Sequence, residues 1–301
     1  MRNTDFFRQY IWIINTILSY RKISFSRIQS LWVDDDLNDH KPLSRTTFYR
    51  LREDIENMFG IHIECDRSDH NQYYISNPEA LREHSTQNWM LQTLTVGNTL
   101  ADCLSIKERL VLEEIPEGTE YLQAIIKAIK SNHRLTMTHQ SFYASEAKNM
   151  LIEPYCLKLF RQRWYLLGKT APHYNELRIY ALDRVTSLEE TNQTFTLDPD
   201  FQAEDFFRHY FGTFIGKEPI RIVLRAYGMM IPLLRTLPKH HTQKEIATTE
   251  LYSDFEYFMA PTFDFRQEIL REGSELEVLE PIAFRKELTT ELKKSLKQYR
   301  Q

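Results

Sequence analysis

Between Asp5 and Tyr20 the apolar side chains fall at Phe6, Phe7, Tyr10, Ile11, Ile14, Ile17 and Leu18, a three-and-four spacing that lays one stripe along a helix. Ser24 is placed to cap a second, shorter helix carrying Phe25, Ile28, Leu31 and Trp32. After the acidic, turn-rich run 33–42, Ser44 opens a third helix with Phe48, Leu51 and Ile55 as its stripe and Gly60 as its stop. The period then shortens to two. Ile61 and Ile63 alternate with His62 and Glu64, a polar turn comes next, and Tyr73-Tyr74-Ile75 returns as the second arm of a hairpin. Three helices and a hairpin predict a winged helix-turn-helix domain over residues 1–77.

With Phe48, Leu51 and Ile55 turned inward, the outer arc of the third helix holds Thr46, Tyr49, Arg50 and Glu53, flanked by Arg45 and Arg52. Arginine forks onto guanine, and Ser, Thr and Tyr hydroxyls reach phosphates or bases, so Ser44, Arg45, Thr46, Tyr49, Arg50 and Arg52 are the expected DNA-binding residues. Taken without its neighbours, the same arc also fits an ordinary solvated helix face. Asp34 to Asp36 repel phosphate, and their loop is expected to point away from a duplex.

Downstream the pattern changes three more times. Trp89, Leu94, Leu100, Leu104 and Leu110 are spaced through polar sequence, which predicts a helical linker over 78–118 able to carry dimer contacts. A helix over about 119–131, with Tyr121, Leu122, Ile125, Ile126 and Ile129 on one face, leads into short strands at 135–139, 150–157, 163–169 and 177–182. This predicts an SH3/Sm-like β-barrel within 119–200. After a connector at 201–216, residues 217–301 read β-α-β-β-α-β with a closing helix, a ferredoxin-like domain. The expected fold class is therefore multidomain α+β.

Composition narrows the choice of function. The net charge is −4, and residues 1–77 hold ten Lys and Arg against eleven Asp and Glu. Any nucleic-acid contact must come from a local basic face. Cys65, Cys103 and Cys156 are too widely spaced for a disulfide framework or a paired-cysteine metal site, so no metal is expected. Eight glycines make neither a dinucleotide-binding loop nor a phosphate loop, and the GxSxG and HExxH patterns are absent. No cofactor and no catalysis are expected. No run of eighteen apolar residues lacks a charge, and Asp5 sits where a signal peptide would begin its apolar stretch, so no membrane partner and a cytoplasmic location are expected.

The densest chemistry lies in Arg161-Gln162-Arg163-Trp164-Tyr165-Leu166-Leu167 and in the run Leu177-Arg178-Ile179-Tyr180-Ala181-Leu182-Asp183-Arg184-Val185. Alternation puts Arg163 with Tyr165 on one strand face and Arg178 with Tyr180 on another. If those faces line a common surface, two guanidiniums sit between two aromatic rings, a surface suited to a nucleotide or a single strand. Spacing alone favours two exposed arginines beside core aromatics.

Trp164-Tyr165-Leu166, with Glu153-Pro154-Tyr155 ahead and Arg178 to Val185 behind, resembles the WYL-domain family of bacterial transcriptional regulators. Ser44-Arg45-Thr46-Thr47-Phe48-Tyr49-Arg50 is similar to that family's recognition helix, and Leu237 to Gln243 with Glu280 to Arg285 is similar to its WCX-type C-terminal extension. The resemblance implies a barrel that binds an anionic ligand, a nucleotide or single-stranded nucleic acid, and so modulates DNA binding. Tyr165, Arg178 and Arg184 fit the family's pattern. Thr138 stands where an aromatic Tyr is common and Asn149 where an Arg is common; Lys158, Arg161 and Arg163 are basic residues able to compensate. His139, Lys158, Arg163, Tyr165, Arg178, Tyr180 and Arg184 are the expected ligand-binding set.

The reading that results is a homodimeric, ligand-responsive regulator that binds double-stranded DNA. A nucleotide-processing enzyme and a non-transcriptional adaptor in nucleic-acid defence are the alternatives.

Overall fold

The computed structural model of the chain describes residues 3–35, 41–81, 85–102, 109, 118–142, 144–171 and 173–300. Contacts divide the chain into two compact units, Met1–Leu112 and Glu113–Gln301.

The first unit runs α1 (Asn3–Tyr20), β1 (Ile23–Ser24), α2 (Phe25–Asp34), α3 (Arg45–Phe59), β2 (Ile63–Asp66), β3 (Gln72–Ile75) and α4 (Thr86–Asp102). Local chemistry sets the helix ends. The Ser24 side chain accepts from the Arg27 amide and that of Ser44 from the Thr47 amide. At the far end of α3, Gly60 takes φ 65°, and its N–H reaches the Glu56 carbonyl. A side chain is disfavoured in that left-handed conformation. Ile14, Ile17, Ile28, Phe48, Leu51 and Ile55 form the buried centre, with Ile63, Tyr73 and Ile75 closing it from the antiparallel sheet β1-β3-β2. Leu91 and Leu94 pack into this same core, so α4 belongs to the first unit as well as leading out of it. Trp89 and Val96 are exposed. Cys103, Leu104, Leu110, the side chain of Leu100 and the 36–40 part of the acidic run lie outside the described residues.

The second unit opens with α5 (Leu122–Ser131), then β4 (His133–His139), β5 (Lys148–Phe160), β6 (Arg163–Thr170), β7 (His173–Ala181) and β8 (Val185–Thr194). These strands make one antiparallel sheet in the order β7-β6-β5-β4-β8. Ile125 and Ala128 of α5 pack on Leu135, Met137, Ile152, Leu166 and Leu182. Strand β8 is absent from the sequence expectation because only Val185 and Leu188 turn apolar side chains toward this core. On the opposite face of β6, Leu167 joins Tyr155 and Phe195 in a second cluster with Phe201, Phe206, Phe207 and Ile215 of the 201–216 segment, which contains α6 (Ala203–Phe207).

The chain continues as β9 (Ile220–Tyr227), α7 (Met230–Thr236), β10 (Lys244–Thr248), β11 (Tyr252–Met259), α8 (Phe263–Arg271), β12 (Leu276–Glu280) and α9 (Ile282–Tyr299). The sheet order is β10-β11-β9-β12, antiparallel throughout, over a core of Leu224, Phe255, Tyr257, Phe265, Ile269 and Phe284. Polar ties bind this part to the preceding sheet. Arg161 pairs with the buried Glu268 of α8, which also accepts from Lys239 at 2.6 Å and Arg271 at 2.8 Å. Asp264 accepts from the amides of Thr213 at 2.5 Å and Phe214 at 2.9 Å. Position 212 must be glycine here, since a Cβ would collide with the Asp264 carboxylate.

Candidate nucleic-acid groove and anion pocket

In the first unit a groove of about 630 Å³ opens between α3 and the β2–β3 hairpin. Arg45, Tyr49 and Arg52 line it from α3, at the spacing that stacks side chains on one helix face. Arg67, His70 and Asn71 enter from the hairpin turn, and Ser24 and Ser26 from the start of α2. No carboxylate is among the lining residues. Arg52 and Arg67 have no ion-pair partner among the described residues. Arg45 lies 4.8 Å over the Phe25 ring, and the Tyr49 hydroxyl meets that of Tyr73 at 3.4 Å. That contact, helped by Arg45, lowers the Tyr49 pKa, while burial raises that of Tyr73.

The expected DNA-binding residues separate into three groups. Arg45, Tyr49 and Arg52 share the groove. Thr46 and Arg50 are exposed on the neighbouring stripe of α3, with the Arg50 guanidinium 5.7 Å over Phe6 of α1. The Ser44 hydroxyl is engaged in capping, 3.0 Å from the Thr47 amide and 2.8 Å from the Thr47 hydroxyl. Sequence reasoning missed Arg67, His70 and Asn71, whose only signal was a polar turn carrying two bases.

In the second unit a pocket of about 710 Å³ gathers His139, Ser141, Lys148, Asn149, Met150, Thr170, Arg178, Tyr180 and Arg184. Again no carboxylate lines it. Arg178 is half exposed and donates to Glu176 at 2.9 Å, a hydrogen bond that raises its pKa. The Arg184 guanidinium lies 4.3 Å over Phe142, but its buried Nε finds no hydrogen-bond partner among the described residues. His139 Nε2 is likewise buried without a hydrogen-bond partner among the described residues, and burial, then the nearby Arg184, lowers the imidazole pKa. Its ring meets Tyr180 edge-on at 5.5 Å, and the Tyr180 hydroxyl contacts that of Thr170 at 3.1 Å. An anion with hydrogen-bonding oxygens matches such a lining.

The expected common surface of Arg163, Tyr165, Arg178 and Tyr180 does not form. Tyr165 lies opposite Ala181, Leu166 opposite Tyr180, and Gly168 opposite Arg178. Residues directly across a ladder share a face, so Arg178 and Tyr180 side with Leu166 while Arg163 and Tyr165 turn the other way. There Arg163 lies 3.6 Å from the Asp183 carboxylate, and burial raises the pKa of Tyr165. Lys158 faces Tyr165 across the ladder, donates to the Gly212 carbonyl at 2.7 Å and sits 3.9 Å over the Phe207 ring. Burial pulls its amine down to about 8. Lys158, Arg161 and Arg163 therefore bind the sheet to neighbouring segments; the additional cation at the pocket is Lys148. Thr138 and Asn149 stand directly opposite each other, and the Asn149 amide donates to the Thr138 hydroxyl at 3.3 Å.

Residues 120–190 match the WYL domain, so the chain carries that domain across α5 and the five-stranded sheet. No curated protein matches the sequence. Among solved structures, proteasome accessory factor B/C (PafBC) of Arthrobacter aurescens is similar at 14% identity and a TM-score of 0.37, over 94% of this chain and 46% of that one. The chain thus spans less than half the length of PafBC. A CRISPR Cas-related protein is similar at 13% identity and a TM-score of 0.41, over 86% of this chain and 74% of that one. Among the described residues no helix is long and apolar enough to cross a membrane, and no three His, Cys, Asp or Glu side chains are grouped to hold a metal ion.

Proposed function

We propose that the chain is a ligand-responsive, DNA-binding transcriptional regulator acting as a homodimer. The first unit is read as a winged helix-turn-helix: α3 enters a major groove, and the β2–β3 hairpin lies along the backbone. The five-stranded WYL sheet is read as the Sm-like sensor barrel. The β-α-β-β-α-β order with strand order β10-β11-β9-β12 supports a ferredoxin-like extension. The observation that carries the reading is the α3–hairpin groove, which collects Arg45, Arg52, Arg67 and His70 without a lining carboxylate although the whole chain is net acidic.

The WYL pocket takes the anionic ligand, a nucleotide or a short single strand, through Arg178, Arg184 and Lys148. Ligand acts only by binding one dimer geometry better than another. No catalytic step is assigned.

Binding of mixed-sequence duplex DNA by the full chain tests the first half of this reading. Arg45→Ala/Arg52→Ala is expected to weaken it by roughly tenfold or more, because phosphate contacts supply most of non-specific affinity. Arg178→Ala is expected to leave that binding unchanged while abolishing any response to added nucleotide or oligonucleotide. Unaltered duplex binding by the double variant would remove the groove from the account.

A further inference from the structure

The hairpin tip presents a contradiction in charge. Arg67 and His70 line the groove, yet Asp66 and Asp69 stand directly beside them in sequence. Free carboxylates there would repel phosphate across a few ångströms, within the distance at which salt does not screen them.

Both acids are held. Lys22, just ahead of the β1 pair, reaches Asp66 at 2.9 Å and Asp69 at 3.2 Å. The other Asp66 oxygen accepts from the Ser68 amide at 3.1 Å, the Ser68 hydroxyl at 2.6 Å and the Asp69 amide at 3.2 Å. A carboxylate that accepts amides two and three residues on fixes the turn it precedes. In that turn His70 and Asn71 both take left-handed conformations, with φ 51° and 56°. Hydrogen bonds from Ser68, then Lys22, hold the Asp66 carboxyl well below the usual carboxylate range.

We propose that Lys22 and Asp66 form a clamp that positions Arg67 and His70 in the α3 groove and masks the two hairpin carboxylates from a bound phosphate backbone. This rests on the groove being the nucleic-acid surface. Asp66 is a positioning residue: its Oδ1 shapes the tip, while Lys22 neutralises the charge that this device introduces.

The two roles separate by substitution in the full chain, with mixed-sequence duplex DNA at low salt as probe. Asp66→Asn keeps an acceptor at Oδ1 and removes one acid, so affinity stays within about twofold of the parent. Asp66→Ala loses the acceptor and binds roughly tenfold more weakly; Lys22→Gln uncovers both acids and loses about as much. Adding Asp66→Asn to Lys22→Gln recovers part of that loss, a rescue that a purely structural lysine would not give. Melting curves on the same variants identify any that fail to fold. Parent-like binding by Asp66→Ala and Lys22→Gln, with binding lost in Arg45→Ala/Arg52→Ala, overturns the clamp and leaves the groove standing. Parent-like binding by the arginine pair variant overturns both.

Discussion

His240 shows what burial does to one titratable group in this chain. Its Nδ1 lies 2.8 Å from the Thr242 hydroxyl and its ring 4.2 Å from that of His241; it hydrogen-bonds the Arg208 backbone, and His209 and Lys158 are the other cationic groups near it. Burial, then the neighbouring His241, pulls its pKa from 6.5 to about 4. The folded imidazole resists a proton that the unfolded one accepts, so the contribution to stability is complete above pH 6.5 and is lost as pH falls toward 4. His240→Gln is expected to flatten the decline of melting temperature across that interval. An acid limb as steep as the parent's would assign the loss to other groups.

At the scale of elements, the long helices were legible, whereas the short α6 within 201–216 and the sheet register were not. The Ile14/Ile17 and Phe48/Leu51/Ile55 stripes, the serine caps and Gly60 all lie in local sequence, and each element they mark is present. Which face Arg178 shares with β6 depends on the pairing offset, and a shift of one residue turns every side chain over. The irregularity between Lys169 and Thr170 sets that offset, and nothing in the residue types announces it. Strand β8 was hidden for a related reason, since pairing with β4 makes it a strand although few of its side chains are apolar. The α3 cap gives a test at this scale. Ser44→Ala removes the acceptor for the Thr47 amide and is expected to cost about 1 kcal/mol, read by denaturant unfolding of the first unit's transition. A change below a few tenths of a kcal/mol would mean that the cap contributes little to α3.

Across the whole molecule, the cations expected to form one ligand surface are divided between two tasks. Arg178 and Arg184 face a pocket, joined there by Lys148, which the sequence did not single out, whereas Lys158, Arg161 and Arg163 join the WYL sheet to neighbouring segments of the second unit. Sequence distance concealed this division, because Glu268 and Gly212 lie far along the chain from the residues they engage. Glu268 is 4% exposed and meets Arg161, Lys239 and Arg271. Glu268→Ala removes the carboxylate these three cations share, although Lys239 and Arg271 keep Glu272 and Arg161 is half exposed, and is expected to destabilise the second unit by about 1–2 kcal/mol. Calorimetry showing an unchanged transition would contradict that role.

The claim on which the functional reading depends is that duplex phosphate meets the α3–hairpin groove. The most direct measurement is the slope of log affinity for duplex DNA against log salt, in the intact chain and in Arg45→Ala/Arg52→Ala/Arg67→Ala. Each lost phosphate contact is expected to reduce the slope by about 0.9, while Arg178→Ala/Arg184→Ala leaves it unchanged. A slope indifferent to the groove arginines, or one that responds to the pocket arginines instead, would contradict the account.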